Sequence, residues 1–285
     1  LTPLIKAKKS LGQNFLTDER IARRIIDAVS PLPTDIVIEI GPGTGALTRL
    51  LVERSGCVEA IEIDSHLAAE LRRSLKADNL SIVTADALSL DWGALISDAK
   101  SKLKSVHLHL NEAQPMRVRI VANLPYYIST PIIEKLLSLD GRLFDMTLML
   151  QKEVANRITS GPGGKEYGSL SVMVQYYCIA SKLFEVPSSA FTPPPKVKSA
   201  VIKLTVRPQP PVEVADEQQF FRLVRATFAQ RRKTILNNLK ASEKVLQLPR
   251  HLEAALEAAS VGSQRRAETL SIAEFAALYR ALDLG

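Results

Sequence analysis

The chain has 285 residues, of which 46% are hydrophobic and 24% are charged, and this composition excludes extensive disorder. No apolar run approaches the roughly 18 residues that a transmembrane helix needs, and residues 1–10 lack the apolar core of a signal peptide. We therefore expect a cytoplasmic protein with no membrane partner. The net charge of +7 would suit a polyanionic partner if the excess were concentrated on one surface.

Strand-like and helix-like segments alternate along the first half of the chain. Short β-branched runs that predict buried strands lie at 36–40, 58–63, 80–84 and 117–122. Helical leucine spacing occupies 45–55 and 65–76 between them. A fifth strand is predicted at 144–151, followed by an antiparallel edge pair at 182–187 and 199–206. The alternation predicts an α/β fold with a doubly wound, Rossmann-like, mostly parallel sheet, whose ligands bind beyond the carboxyl ends of the strands.

A proline-rich segment at 207–213 interrupts the apolar periodicity. We place a domain boundary there, between a sheet domain at 1–207 and a small helical domain at 208–285. The glycine-rich loop at 160–169 is either an ordinary turn or a mobile flap over a substrate.

Cysteine and histidine spacing predicts no metal site. Cys57 and Cys178 lie in apolar contexts without a CxxC pattern, so we expect buried, reduced thiols. His107 and His109 alternate on a strand-like segment, and we interpret them as surface residues.

A glycine-rich turn follows the first predicted strand. Gly41, Gly43 and Gly45 let the backbone turn sharply and approach a ligand. Glu62 lies about 20 residues on, where nucleotide-binding sheets place an acid for the ribose hydroxyls. The pattern also fits a nicotinamide dinucleotide, so an oxidoreductase is an alternative. Glu39, directly before the glycines, favours a ligand with a cationic amino group, because an acid there would repel a pyrophosphate.

Two aspartates follow predicted strands. Asp86 ends the third strand, where its carboxylate could accept a hydrogen bond from an adenine amino group. Asp64 and Asp86 each precede an apolar run, so either could instead be the N-cap of a helix. We predict a cap at Asp64 and a ligand contact at Asp86, because the glycine turn, Glu62 and Asp86 would then surround one nucleoside.

The segment 123–130, NLPYYIST, follows the fourth strand, at the edge where doubly wound enzymes present catalytic groups. Pro125 favours an extended Leu124, which directs the Leu124 carbonyl, and Asn123 offers a side-chain oxygen nearby. Two neutral acceptors can bond both N–H groups of an aromatic amine and favour a partly cationic nitrogen in the transition state. Tyr126 would stack on the unstacked base that carries the amine, whereas a turn with a core aromatic is the alternative.

Five segments together resemble the ribosomal RNA adenine dimethyltransferases, the family of the bacterial kasugamycin-sensitivity enzyme and the eukaryotic dimethyladenosine transferases. They are KKSLGQNFL at 8–16, EIGPGTG at 39–45, NLPYYIST at 123–130, FTPPPKVKSA at 191–200 and FAQRRKTILNNL at 228–239. The resemblance implies a class I methyltransferase with S-adenosylmethionine as cofactor. It also implies N6,N6-dimethylation of two adjacent adenosines near the 3′ end of small-subunit ribosomal RNA, by a monomer that acts on an immature subunit.

The same resemblance implies roles for particular residues. Asn14 and Leu16 would close over the cofactor, and Phe191 would face Tyr126 across the target adenine. The further cofactor contacts that it implies are Gly41, Glu62, Asp86 and Asn123. From its surroundings alone, Phe191 is only a core or loop aromatic. The connection at 105–116 is unusually long for the family.

Positive charge concentrates in two segments, one near the amino terminus and one in the second domain. Arg231 and Arg232 would fall on the apolar stripe of a continuous helix, so we predict a break near Ala229 and Gln230 whose corner faces RNA phosphates. A solvated helix face is the alternative. The candidate RNA contacts are Lys8, Lys9, Arg222, Arg225, Arg231, Arg232 and Lys233.

Three other functions fit parts of the pattern. They are a nicotinamide oxidoreductase, a non-catalytic ribosome-assembly protein, and a large-subunit ribosomal RNA methyltransferase of the antibiotic-resistance type. The last shares the cofactor and the NxPY segment, but the QRRKT segment resembles the small-subunit enzymes.

Overall fold

The computed structural model describes residues 7–8, 11–106, 116–139, 141–246 and 251–284. Lys9, His107, His109 and most of the connection at 105–116 lie outside the described residues. Contacts divide the chain into two compact units, one of Leu1–Ala155 with Ser181–Val206 and the other of Asn156–Ala180 with Arg207–Gly285. The predicted boundary between 207 and 208 lies one residue from the observed division between Val206 and Arg207. However, residues 156–180 group with the helical unit and not with the sheet unit.

The first unit contains a seven-stranded sheet. Its strands in chain order are β2 (Ile36–Ile40), β3 (Cys57–Glu62), β4 (Leu80–Thr84), β5 (Val118–Asn123), β6 (Asp145–Gln151), β7 (Cys178–Val186) and β9 (Ser199–Val206). The order across the sheet is β4-β3-β2-β5-β6-β9-β7. In that order, the first five strands run parallel to one another, whereas β9 runs antiparallel to β6. This arrangement confirms the predicted doubly wound sheet with an antiparallel strand toward one edge.

A separate two-stranded pairing joins distant parts of the first unit. β1 (Phe15–Leu16) runs antiparallel to β8 (Phe191–Thr192), with Leu16 opposite Phe191. The main helices around the sheet are α1 (Glu19–Val29), α2 (Thr48–Val52), α3 (Ser65–Ser74), α4 (Trp92–Val106), α5 (Ser129–Leu137) and α6 (Lys152–Thr159).

The apolar residues of the sheet explain its position inside the unit. Every residue of β2 and β3 is buried, as expected for parallel strands that are covered on both faces. α1 contributes Ile25, Ile26 and Val29 to the same core, which also holds Leu16 and Phe191. The glycine turn and the NLPYYIST segment therefore each follow a strand that is buried in the apolar core.

A buried ion cluster joins three neighbouring strands at their amino ends. Arg119 of β5 bonds Asp35, just before β2, at 2.7 Å, and also contacts Asp145 at the start of β6. Burial raises the pKa of Asp145, while Arg119 and Lys203 oppose that rise. Because β2 and β5 carry cleft-lining segments at their other ends, the cluster helps to hold these two segments in register.

The second unit is helical. Its helices are α7 (Ser169–Tyr177), α8 (Glu217–Thr227), α9 (Ile235–Leu246), α10 (Leu252–Ala258) and α11 (Ile272–Ala281). Tyr176 of α7 packs against Phe220 and Phe221 of α8, with ring centroids 5.6 and 5.2 Å apart. This aromatic packing is the physical reason why 156–180 group with the helical unit.

Among the residues that the structure describes, no helix is long and apolar enough to cross a bilayer.

The loop at 160–169, predicted as a turn or a mobile flap, is bonded within the second unit. Tyr167 is buried and packs edge-on against Phe228, with ring centroids 6.0 Å apart. The Gly163 N–H donates to the Glu268 carbonyl at 2.7 Å. These contacts favour the ordinary turn. Cys57 and Cys178 are buried free thiols, as predicted.

Candidate active site

A cleft of about 810 Å³ opens at the carboxyl edge of the sheet. Five segments line it, and each follows a strand or lies across the strand ends. They are 11–15, the glycine turn with 40–43, the ends of β3 and β4 with 61–63 and 85–87, and 123–128 after β5. The cleft thus lies at the position that the fold predicts for a ligand.

The segment 11–15 forms one wall of the cleft. The Asn123 amide donates through Nδ2 to the Asn14 carbonyl at 3.0 Å, which ties this wall to the end of β5. Asn14 lines the cleft as predicted, but Leu16 is 5% exposed and belongs to the core. Leu16 borders only a smaller cavity of about 280 Å³ beside Glu39.

A side chain would meet a close neighbour at two positions of the glycine turn, Gly43 and Gly45. Gly43 has a φ of +56°, and a Cβ there would lie 3.0 Å from Cδ1 of Phe15. Gly41 and Gly43 line the cleft, whereas Gly45 does not. A Cβ on Gly45 would instead meet Leu71 of α3 at 2.7 Å, so Gly45 permits close packing of α3. The prediction that Gly45 contacts the cofactor thus has no support from its position.

Glu62 organises the cleft from the end of β3. Its carboxylate accepts the Gly43 N–H at 3.1 Å and the Asp64 N–H at 2.9 Å. Burial raises the pKa of Glu62, and the backbone donors partly oppose that rise. The acid predicted to bind a ribose therefore also holds the glycine turn in place.

Glu39 is a buried acid that lacks a complete set of partners. It is 2% exposed, and in the described part of the chain no group bonds its Oε2. Burial raises the pKa of Glu39 to about 8, and the neighbouring Glu62 carboxylate adds to the rise. It borders the smaller cavity together with Gly41 and Asn123. An incoming cation would stabilise its charged form.

The two aspartates behave differently. Asp64 is the N-cap of α3 and accepts the His66 N–H at 3.0 Å, which confirms the predicted cap. Asp86 lines the cleft and its Oδ1 accepts the Leu88 N–H at 2.9 Å. One oxygen of Asp86 thus closes a local turn, and the other is the atom through which a ligand contact would be made.

Asp64 has a second partner that changes the interpretation of Lys8. Lys8 Nζ lies 2.8 Å from Asp64 Oδ2, and the Lys8 N–H donates to Gln13 Oε1 at 2.8 Å. The ammonium predicted to bind RNA phosphate is therefore engaged by a buried carboxylate beside the cleft. This ion pair ties Lys8 to the start of α3.

The NLPYYIST segment presents neutral polar groups to the cleft. Asn123, Leu124, Pro125 and Tyr126 all line it. The Leu124 N–H donates to the Met149 carbonyl of β6 at 3.2 Å, which anchors the segment to the sheet. Because Asn123 Nδ2 is committed to the Asn14 carbonyl, Oδ1 is the oxygen of that amide that can accept from a ligand.

The two predicted aromatics lie in different surroundings. Tyr126 is half-buried in the cleft wall, and its hydroxyl lies 2.7 Å from Oγ of Ser199. Phe191 is 3% exposed, packs in the core and does not line the cleft. The structure therefore does not bring Phe191 to the cleft, and its predicted contact with a base remains a prediction.

The basic corner of the second unit has an internal framework. α8 ends at Thr227 and α9 begins at Ile235, which confirms the predicted break around Ala229 and Gln230. The buried Asn238 holds the corner, because its Nδ2 donates to the Thr227 carbonyl at 2.7 Å and its Oδ1 accepts the Gln230 N–H at 3.1 Å.

The basic side chains of this corner are not equivalent. Arg231 donates to the Lys165 carbonyl and lies 3.6 Å from Glu268. Arg232 and Lys233 are exposed, and the structure records no bond from either side chain to another described residue. Arg222 and Arg225 are exposed on α8. Arg231 therefore supports the corner, whereas Arg232 and Lys233 project from it.

A profile of the family described as ribosomal RNA adenine dimethylase matches residues 4–278 of the chain. The chain belongs to this family. Two relatives named ribosomal RNA small subunit methyltransferase A illustrate the similarity. The one from Geobacillus thermodenitrificans is 47% identical over 281 residues, covering 96% of this chain and 90% of the relative. The one from Moorella thermoacetica is 45% identical over 280 residues, covering 96% and 92%.

Solved structures of RNA methyltransferases resemble this dimethylase-family chain over nearly all of its length. A dimethyladenosine transferase from Plasmodium falciparum is 27% identical, with a TM-score of 0.74 and coverage of 94% of this chain and 97% of that one. The 23S rRNA methyltransferase ErmE is 28% identical, with a TM-score of 0.68 and coverage of 95% and 100%. The predicted fold and family resemblance are thus confirmed.

Several side chains of this dimethylase-family cleft were not predicted. Ile63 and Tyr127 line it although they are 52% and 58% exposed, as expected for apolar surfaces that a planar ligand could cover. Ile63 directly follows Glu62, so its position could have been found from the strand end. Further unpredicted residues are Gln13 and Phe15, which line the cleft, and Ser199, which contacts the cleft-lining Tyr126.

Proposed function

We propose that the chain transfers methyl groups from S-adenosylmethionine to the N6 atoms of two adjacent adenosines near the 3′ end of small-subunit ribosomal RNA. The observation that carries this proposal is that Asn123 and Leu124 line the cleft together and that the Asn123 amide, whose Nδ2 is engaged by the Asn14 carbonyl, keeps Oδ1 as its acceptor. Relatives that are 45–47% identical and carry the small-subunit name support the choice of RNA. The enzyme would act in the cytoplasm, as a monomer, on an immature subunit.

The residues of the cleft fit S-adenosylmethionine. Glu39 Oε2 is buried without a partner in the described chain, so the cofactor's amino group would supply the missing donor and cation. Glu62 and Asp86 would accept from the ribose and the adenine amino group, and Ile63 would cover the adenine ring. When bound, S-adenosylmethionine supplies a methyl group on a positively charged sulfur.

The NLPYYIST segment would activate the acceptor by hydrogen bonding. An adenine amine is a poor nucleophile because its lone pair is delocalised into the ring. Asn123 Oδ1 and the Leu124 carbonyl would each accept one N–H, which stabilises the tetrahedral, cationic nitrogen that forms as the new C–N bond develops. The surplus proton then leaves for water, so no residue of the segment needs to act as a strong base.

The second unit would hold the RNA. Arg222, Arg225, Arg232 and Lys233 are exposed and would contact phosphates, while Arg231 would support the corner from which two of them project. Lys8 contributes through the wall of the cleft instead. A positively charged surface on the second unit suits an enzyme that must hold a folded RNA while a single base is withdrawn from it.

Mass spectrometry of digested ribosomal RNA tests the proposal. The purified protein and S-adenosylmethionine would be incubated with small subunits from a bacterial strain that lacks its adenine dimethyltransferase, with large subunits and protein-free RNA as parallel substrates. We expect N6,N6-dimethyladenosine at two adjacent sites near the 3′ end of the small-subunit RNA. Modification of large subunits alone, or binding of NADH without methyl transfer, would contradict the proposal.

A further inference from the structure

The segment 191–200 contacts a cleft-lining residue, Tyr126, through Ser199. Phe191 at its start is in the core, but Ser199 near its end begins β9 and lies opposite Gln151, the last residue of β6. That register places Ser199 at the carboxyl edge of the sheet, beside the segment that follows β5. Ser199 is fully buried, and its Oγ lies 2.7 Å from the Tyr126 hydroxyl.

We propose that Ser199 is a positioning residue of the methyl-acceptor site, which sets the plane of the Tyr126 ring by holding its hydroxyl. Tyr126 lies in a turn directly after Pro125. The backbone of this turn does not by itself fix the side-chain torsions that set the orientation of the ring. The bond to a buried atom on a neighbouring strand removes that freedom. The inference rests on the proposed function, in which the Tyr126 ring stacks on the target base.

The same bond assigns the Tyr126 hydroxyl a structural task. A hydroxyl engaged at 2.7 Å by a buried serine is not directed at the reacting amine. Burial also raises the pKa of Tyr126, so the phenol keeps its proton at neutral pH. Tyr126 therefore supplies a ring surface to the reaction and takes no part in proton transfer.

Ring position matters more for the second methyl transfer than for the first. Unmodified adenine has two N6–H donors for Asn123 Oδ1 and the Leu124 carbonyl. After one methylation a single N6–H remains, so one acceptor no longer orients the base. Orientation of the singly methylated base then depends more on stacking against Tyr126. Loosening the ring should release more singly methylated product.

The test compares Ser199→Ala with Tyr126→Phe, which remove the same bond from its two sides. We expect each to lower the rate of the second methylation about fivefold, in line with the loss of one hydrogen bond, and to lower the first less than twofold. The ratio of N6-methyladenosine to N6,N6-dimethyladenosine in digested small-subunit RNA would rise accordingly. The double variant should resemble either single one, because both changes break one interaction.

Thr147→Val is the matched control. It removes a buried hydroxyl from β6 for which the described chain offers no partner, so it reproduces the loss of a hydroxyl from the sheet without touching Tyr126. We expect its product ratio to equal that of the wild type. If Ser199→Ala failed to fold, Tyr126→Phe would decide alone, since it retains the ring and its packing.

The outcomes separate this inference from the proposed function. An unchanged product ratio in both variants, or additive losses in the double variant, would overturn the role of Ser199 while wild-type dimethylation upheld the function. A wild-type protein that made no dimethyladenosine would overturn both. A general loss of stability would lower both rates equally and would also refute the positioning role.

Discussion

Lys8 Nζ lies 2.8 Å from Oδ2 of Asp64, and the same carboxylate caps α3 through the His66 N–H. Side-chain exposure is 46% for Lys8 but only 3% for Asp64, so the acid is held by the fold while the lysine approaches from solvent. Because the Lys8 N–H also bonds Gln13 in the wall of the cleft, the pair joins that wall to α3, the helix that follows Glu62.

This relationship predicts that Lys8→Met weakens cofactor binding. We expect the dissociation constant of S-adenosylhomocysteine, measured by calorimetry, to rise about threefold to tenfold, the range for one partly exposed charge-assisted bond. Lys104→Met, which removes an exposed lysine from α4, is the control and should bind normally. Normal cofactor affinity with weakened RNA binding would instead restore the phosphate role first predicted for Lys8.

Asn123→Ala should lose most turnover. The variant lacks an acceptor whose hydrogen bond strengthens as the amine becomes cationic, so we expect the single-turnover rate to fall about a hundredfold or more. Cofactor affinity should change by a small factor, because the bond to the Asn14 carbonyl is also lost.

Asn79→Ala provides the comparison for Asn123→Ala. Its amide bonds the Val52 and Ser55 carbonyls and does not line the cleft, so that variant should lose stability but keep its turnover per folded molecule. Near-normal turnover of Asn123→Ala would remove the basis of the proposed chemistry.

Binding of S-adenosylmethionine should release a proton through Glu39. The pKa of Glu39 is about 8 without ligand, so near pH 6.5 the carboxyl is mostly neutral, whereas the ligand's amino group carries its proton. The ammonium favours the carboxylate, which must then lose its proton. Calorimetry in buffers of different ionisation enthalpy should show about one proton released by the wild type and none by Glu39→Gln.

The same residue predicts how stability depends on pH. The folded pKa of about 8 lies above the ordinary value of 4.5, so the contribution of neutral Glu39 is complete below 4.5 and is lost as pH rises through 8. Urea denaturation of the ligand-free protein should show this decline, and Glu39→Gln should flatten it. An equal decline in both proteins would place the titrating group elsewhere.

The corner residues should separate into two classes. Arg232→Ala and Lys233→Ala should each weaken RNA binding and reduce the slope of log affinity against log salt by about 1, because each removes one phosphate contact. Arg231→Ala should change that slope less and lower the thermal midpoint more, since its guanidinium bonds Lys165 and Glu268. Equal salt slopes for all three variants would contradict this division.

Much of the sheet was predictable because parallel strands buried on both faces leave a strong apolar pattern. β2 and β4 match their predicted bounds, and Asp64 caps α3 as its position before an apolar run indicated. The placement of α7 was not predictable in this way, because its partners Phe220 and Phe221 are more than 40 residues along the chain. A linear pattern records which face of a helix is apolar but not which helix will cover it.

The site shows the same limit. Residues at strand ends, such as Glu62 and Asn123, were found because the fold brings strand ends together. Gly45 carries the same sequence signal as Gly43, and only the position of Leu71 reveals that Gly45 serves packing. Similarly, nothing local to Lys8 indicates Asp64, and nothing local to Tyr126 indicates Ser199. Such pairings arise from tertiary structure.

The two bonds to Glu62 have a consequence for how the pocket forms. Its oxygens hold the amides of Gly43 and Asp64, so bonds within the protein itself lock the loops after β2 and β3 together. Little ordering of these loops remains to oppose association. By the same reasoning, Glu62→Gln would distort these loops and would also remove the proposed contact with the ribose. The loss of affinity for S-adenosylmethionine in this variant would therefore be the sum of the two effects.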